Sequence, residues 1–436
     1  MSPARVLVIG GGVAGITAAL DCADRGAEVT LVEVRPRLGG AAYSIDRDGW
    51  ALDNGQHVFL RCCTAYRALL ERIGGSGGVE LQPRLEIVVL RPGHRDAVLR
   101  RGFLPAPAHL AGALLRYRHL TPAERIAAGR AALAIKNVDP QRDDGTFGDW
   151  LVAHGQSPRA IANLWDLIAL PTLNLPAAEA SLGLSAFVFQ EGLLDSASAG
   201  DIGLHRAPLS AIIGEPAARE LKTAGVTLNL RWRAQSVERA DEGFEVHGEQ
   251  DTLRADSVIL AVPHERAAAL LPDELRSDAP WAEGLRSSPI VNLHIVYSRP
   301  VLEHRFAAAV DSPLQYVFDR TPPDWAAGTR QYVAVSLSGA RKEIAMRPEE
   351  LQERYLPALR ELLPRTAEAE VERFAVTREH AATFLAVPGV RALRPAAATA
   401  LPGFAMAGAW TATDWPATLE GAARSGHAAA AVVLGG

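Results

Sequence analysis

Apolar and polar positions recur with different periods along this chain, and the periods divide it. Arg5 to Ile9 is a short apolar run of the kind that suits a strand buried on both faces of a parallel sheet. Val13 to Arg25 sets Ile16, Ala19, Leu20 and Ala23 at helical spacing and stops at Gly26, after which Glu28 to Glu33 is again strand-like. A hairpin follows, with Tyr43 to Ile45 running out, a turn over Asp46 to Gly49, and Trp50 to Leu52 running back. From Pro92 to Pro208 the spacing is largely helical, over Leu110 to Arg116, Pro122 to Ala134, Phe147 to His154 and Arg159 to Ala169. Val226 to Val246 reads as short strands around a turn at Asp241-Glu242-Gly243, and Arg254 to Val262 as one apolar strand. Alternation with period two in SSPIVNLHIVYS (Ser287 to Ser298) and RQYVAVSLS (Arg330 to Ser338) predicts a second sheet, and Leu351 to Leu363 an amphipathic helix. Gly403 to Ala407 is a small apolar strand, and Pro416 is placed to open an alanine-rich helix over Thr418 to Leu434.

The ends of the first three elements carry chemistry. Strand, Gly10-Gly11-Gly12-Val13-Ala14-Gly15, helix and strand make a GxGxxG loop in a βαβ unit. Gly10 permits the tight turn, Gly12 lets backbone approach a pyrophosphate, and Gly15 lets the helix pack close to the strand. The helix N-terminus adds unpaired N–H groups and partial positive charge. Glu33, ending the second strand, can accept both ribose hydroxyls of an adenosine and favours FAD or NAD over NADP. Arg35-Pro36-Arg37-Leu38-Gly39-Gly40 then offers a second stretch of bare backbone and basic side chains for the same phosphates, though alone it would read as a solvated loop.

Composition narrows the classes. A chain of 436 residues suits two intertwined domains, and a net charge of −5 argues against a general attraction to nucleic acid. Cys62 and Cys63 are adjacent and Cys22 falls in a helix, so neither a disulfide framework nor a zinc cluster is expected, and a reducing cytoplasm is the expected compartment. The opening residues run straight into a strand, unlike a signal peptide, and no stretch approaches the roughly 20 apolar residues needed to span a bilayer.

VIGGGVAGITAAL, VEVRPRLGG and GAWTATDWPATLEGAARSG together resemble the amine oxidase and phytoene desaturase superfamily of flavoproteins. LDNGQHVF (Leu52 to Phe59), LWDLIALPTLNLPAAEASL (Leu164 to Leu182), DIGLHRAPLS (Asp201 to Ser210) and PATLEGA are most similar to the hydroxysqualene dehydroxylases, the squalene-associated FAD-dependent desaturase group of hopanoid synthesis. The resemblance implies an α/β fold: a Rossmann-like FAD-binding domain, a parallel sheet with helices, assembled from discontinuous segments, plus an α+β substrate domain with a mixed or antiparallel sheet and a helical cap. On that plan residues 1–91, 209–270 and 396–436 form the FAD-binding domain, 92–208 the cap, and 271–395 the substrate domain. It also implies that Gly55 and Gln56 bring the chain against the flavin, that backbone near Ala234 meets the adenine, and that N–H groups near Thr418 and Leu419 hold the flavin's pyrimidine oxygens. One departure matters: relatives usually carry an acid after the glycine of the C-terminal motif, whereas this chain has Gly408-Ala409-Trp410. Loss of that acceptor would cost about 1.5–3 kcal/mol of FAD binding unless another group, such as Asp414, replaces it.

The reaction implied is reductive removal of the allylic hydroxyl of hydroxysqualene, giving squalene, with hydride from N5 of reduced flavin. His57 and Gln56 are the candidate catalytic groups, His57 as proton donor because imidazole titrates near neutrality, with Asp166 and Asn174 as further candidates. The alternatives are a carotenoid-type desaturase or amine oxidase, and a non-catalytic FAD- or lipid-binding partner of a terpenoid assembly. The substrate partner expected is a long apolar isoprenoid. Between His94 and Lys136, Arg95, Arg100, Arg101, Arg116, Arg118, Arg125 and Arg130 interleave with Leu99, Phe103, Leu104, Leu110, Leu114, Leu115 and Tyr117. That pattern fits either a surface lying on anionic lipid or an ordinary solvated helical face.

Overall fold

Five apolar segments from distant parts of the chain meet in one parallel sheet, in the order Thr227–Leu230, Glu28–Glu33, Arg5–Ile9, Ser257–Leu260, Phe404–Met406. The computed structural model describes residues 3–277, 279–325 and 328–435. The central strand Arg5–Ile9 pairs in parallel with Glu28–Glu33 on one side and Ser257–Leu260 on the other, so its apolar residues Val6 to Ile9 are buried on both faces. The helix Val13–Asp24 packs against the C-terminal helix Leu419–Val433 so closely that a Cβ on Gly426 would lie 2.4 Å from the carbonyl oxygen of Ala14.

The expected strand Arg254 to Val262 is divided. Thr252–Ala255 pairs antiparallel with Phe244–His247 in a three-stranded sheet, and after Asp256 the chain enters the parallel sheet as Ser257–Leu260. Asp256 marks the change because its carboxylate accepts from the backbone N–H of Arg5 at 2.8 Å and binds the Arg5 guanidinium.

The second sheet has seven strands, in the order Val371–Phe384, Ser287–Tyr297, Gln331–Ser338, Tyr316–Asp319, Phe306–Ala309, Glu86–Leu90, Ala97–Arg100. Its pairings are antiparallel except that between Phe306–Ala309 and Glu86–Leu90. Glu86–Leu90 and Ala97–Arg100 are a hairpin of this sheet, so the division expected at 91/92 falls in its turn: the edge of the second sheet is built from the first segment. The helical block includes Ala111–Arg116, Pro122–Ala134, Phe147–Ala153 and Asp166–Leu173, with π-helical turns at Ile161–Trp165 and Gln190–Leu194. No helix among the described residues is long and apolar enough to cross a membrane.

Candidate functional site

The glycine-rich loop is shaped by what surrounds it. Gly10 adopts φ +113°, and a Cβ there would stand 2.4 Å from the Ala261 carbonyl oxygen. At Gly15 a Cβ would be 1.9 Å from the carbonyl oxygen of Gly10, so this glycine serves helix-to-strand packing. Gly39 donates its N–H to the Gly11 carbonyl at 2.9 Å, and a Cβ on Gly40 would fall 2.7 Å from Gly12 Cα, so the two glycine stretches touch. The buried Glu33 ties them: Oε2 accepts from Gly11 N–H at 2.7 Å and Oε1 from Arg35 N–H at 2.8 Å.

The corner after the hairpin is held by long-range bonds. The hairpin pairs Ser44–Arg47 with Trp50–Asp53 and turns at Asp48 and Gly49, both left-handed at φ 56° and 71°. Asn54 is consumed structurally: its Oδ1 accepts from Tyr43 N–H at 3.0 Å, and its Nδ2 donates to the Ala41 carbonyl at 2.8 Å and to Glu379 at 3.0 Å. Its own carbonyl accepts from Asn292 Nδ2 at 2.9 Å and from the Thr377 hydroxyl at 3.2 Å. Asp53 makes a buried ion pair with Arg320 at 2.6 Å and accepts from Ser44 Oγ and Leu209 N–H at 2.7 and 3.0 Å.

Two buried histidines brace the same corner. His205 donates through Nδ1 to the His57 carbonyl at 2.7 Å, which leaves Nε2 to accept from the Tyr66 hydroxyl, also at 2.7 Å. His294 donates through Nε2 to Thr377 Oγ1 at 2.9 Å, because that hydroxyl gives its proton to Asn54, and accepts through Nδ1 from Tyr332 OH at 2.6 Å. Burial depresses both to about 3, so both are neutral. His57 is also shifted below 6.5, mainly by burial, against the opposing charges of Asp53 and Glu379 and the Ala41 carbonyl. Gln56 Nε2 is buried and has no acceptor among the described residues.

One cavity of about 1260 Å3 connects these parts. Its wall includes Gly10, Gly12, Val13 and Ala14 of the first loop, and Glu33, Arg35, Gly39 and Gly40 of the second. Gly55, Gln56 and His57 line it, as do Ala234, Gly408, Ala409, Thr418 and Leu419. Its apolar part is made by Leu110 and Leu114 of the helical block, Trp165, and Phe306, Tyr316 and Phe318 of the second sheet. At the C-terminal helix Thr418 is the N-cap, its hydroxyl accepting from Gly421 N–H at 3.1 Å, so Pro416 stands before the helix and does not open it.

Several expected residues lie elsewhere. Gly15 and Arg37 are not in the wall: Arg37 stacks 3.4 Å over the Tyr43 ring, its Nη1 buried with no hydrogen-bond partner among the described residues. Asp414 cannot replace an acid at Ala409, because it is exposed and bound to Arg391 at 3.2 Å and Gln141 at 3.0 Å. Asp166 accepts from Ala177 N–H at 2.8 Å, and burial raises it to about 6; it is outside the cavity wall. Asn174 is a left-handed helix cap that donates to the Ser288 carbonyl and Thr383 hydroxyl, also outside the wall. Sequence reasoning missed Arg320, Glu379 and Glu420. The signal available was a polar residue within a buried apolar stretch, as for Asn292 and His294 in SSPIVNLHIVYS, but it names no partner. Glu420, buried in the wall, caps the helix Thr64–Arg72 by accepting from Ala65 and Tyr66 N–H at 3.1 and 2.8 Å.

The donor set fits a dinucleotide flavin: bare glycine backbone at a helix N-terminus, a carboxylate ending the second strand, a second helix start at Leu419, and an unpaired buried amide donor on Gln56. Comparison with known proteins agrees. A hydroxysqualene dehydroxylase of Rhodopseudomonas palustris is 28% identical over 98% of each chain. A zeta-carotene desaturase of Zea mays is 24% identical over 99% of this chain and 83% of that one. The solved structure of putrescine oxidase bound to putrescine superposes with a TM-score of 0.77 at 17% identity over 100% of both chains. The family model for flavin containing amine oxidoreductases matches residues 13–434, and the chain belongs to that family.

Proposed function

We propose that this FAD-dependent oxidoreductase removes the allylic hydroxyl of hydroxysqualene to give squalene. The observation that carries the reading is that the cavity wall combining the dinucleotide cradle with His57 and Gln56 continues into an apolar chamber of leucines and aromatic rings. Such a chamber accepts a long hydrocarbon and excludes the water that would recapture an allylic cation. FAD held by the glycine cradle and the start of the C-terminal helix would, when bound and reduced, be the source of hydride. Gln56 Nε2 donates a hydrogen bond to the hydroxyl oxygen, and His57 delivers the proton with which that oxygen leaves as water. A depressed pKa makes the His57 imidazolium a stronger but scarcer acid, so turnover rises as pH falls below 6.5.

Similarity to zeta-carotene desaturases favours a second reading, an oxidation in the same chamber. The test is incubation of purified protein with hydroxysqualene and a reduced-flavin source, followed by gas chromatography. Squalene above the His57→Ala and FAD-free controls supports the proposal; none above them sinks it, and turnover of a carotene or amine instead promotes the oxidative reading.

The finer proposal on partners is that the helical block rests on anionic lipid and admits substrate from it. Leu110, Leu114, Ala128 and Ala132 line the cavity, while the same segment exposes Leu104, Leu115, Ile126 and Leu133, and Phe103 at 90% exposure. Arg95, Arg116, Arg118 and Arg130 of the same segment are exposed, whereas Arg101 is spent on Asp201 at 2.6 Å and Arg125 on the Leu120 and Leu115 carbonyls. Co-sedimentation with anionic vesicles, lost in a Phe103→Ser/Leu104→Ser variant, is the expected result; equal sedimentation of both proteins rejects it.

A further inference from the structure

Arg394 is a buried cation whose Nε and Nη2 are hydrogen-bonded with no carboxylate among their partners. The residue is 6% exposed, its guanidinium 4.7 Å from the centre of the Phe384 ring. Its Nη2 donates to the carbonyls of Ala409 at 3.3 Å, Thr411 at 2.5 Å and Trp415 at 2.8 Å, and to Thr413 Oγ1 at 3.4 Å, while Nε donates to Trp410 O at 3.3 Å. The nearby acid Asp414 is taken by Arg391 instead. A single side chain therefore gathers the loop from Ala409 to Trp415, and Ala409, Trp410 and Trp415 are part of the cavity wall beside the dinucleotide cradle. With these carbonyls turned to the guanidinium, the N–H groups of Ala409 and Trp410 find no acceptor among the described residues.

From this geometry we infer that Arg394 is a positioning residue for FAD. It holds the Ala409–Trp415 loop with its backbone donors free for the cofactor, and it places a fixed positive charge behind that loop. Burial lowers its pKa only to about 10, so the charge is present at neutral pH. Backbone donors and charge offset the acceptor missing at Ala409, and the charge favours the flavin when reduction makes it more negative. The inference rests on FAD binding in the cavity but not on the identity of the substrate.

The experiment compares Arg394→Gln, Arg394→Lys and wild type without any isoprenoid present. Flavin fluorescence during titration of apoprotein gives the FAD dissociation constant, dye equilibration gives the reduction midpoint, and thermal melting monitors folding. Arg394→Gln keeps part of the donor set but loses the charge: FAD binding weakens about tenfold or more and the midpoint falls. Arg394→Lys restores the midpoint while affinity recovers only partly, since one ammonium at a single point cannot reproduce the spread of Nε and Nη2 donors along the loop. Wild-type affinity and midpoint in folded Arg394→Gln, with only the melting temperature lowered, overturns the inference. So does a midpoint in Arg394→Lys as low as in Arg394→Gln. Wild-type protein whose FAD affinity and midpoint depend on Arg394 in this way, yet which forms no squalene in the separate turnover assay, would leave the inference standing and count against the proposed reaction.

Discussion

The glycine cradle and the Asp53–His57 corner face one cavity but are built in opposite ways. Apart from the Ala261 carbonyl packed against Gly10, the cradle is made within residues 10–40, mostly by backbone contacts, with Glu33 as the side chain that hydrogen-bonds its two stretches together. The corner depends on Asn292, Arg320, Thr377 and Glu379, more than 200 residues away along the chain. A dinucleotide site needs close backbone approach, which local geometry supplies. Presenting His57 and Gln56 to a chamber needs a rigid backing, and here the second sheet supplies it.

Three experiments bear on that contrast, taken from the largest expected effect. Arg320→Ala leaves the Asp53 carboxylate buried without its cation, and breaking such a pair costs about 3–5 kcal/mol. Urea unfolding of the apoprotein should show this loss, together with a weakened corner, while a shift under about 1 kcal/mol would mean the corner is not held from the second sheet. Gly15→Ala forces a methyl against the Gly10 carbonyl and should cost about 1–3 kcal/mol, with loss of bound flavin as the larger symptom. Normal flavin content in that variant would show that the cradle tolerates what its geometry forbids.

The third concerns acid. His205 and His294 titrate at about 3 in the folded chain against an ordinary 6.5, so between those values the unfolded chain binds more protons. Their stabilising contribution is therefore complete above 6.5 and is lost as pH falls toward 3, at a slope of about 1.4 kcal/mol per pH unit for each histidine. Replacing His294 with Gln should remove one histidine's share of that slope in unfolding measured from pH 7 to 4. An unchanged slope would mean that His294 is not buried neutral in the corner.

How much was legible in advance follows the same division. Strand, GxGxxG, helix and strand were readable because each signal lies within a few residues of the group it serves, and Pro122–Ala134 has the bounds its spacing predicts. The continuous strand expected from Arg254 to Val262 was not readable as two, because the change of sheet at Asp256 is set by Arg5, 251 residues away. Asp166 and Asn174 looked equally available as polar residues in an apolar segment. What excluded them was the acceptors and donors waiting in neighbouring elements, Ala177 N–H for one and the Ser288 carbonyl for the other.

By itself, then, the order of residues determined the flavoprotein class, the phosphate-binding backbone and the alternation of sheet and helix, since all of these rest on steric and hydrogen-bonding preferences between near neighbours. Tertiary structure alone decided that Asn54 is a clip and not a hairpin tip, that Asp414 faces away from Ala409, and that Arg394 stands behind the loop instead. Burial and satisfaction of a polar group depend on what the rest of the chain brings to it, and no local pattern records that.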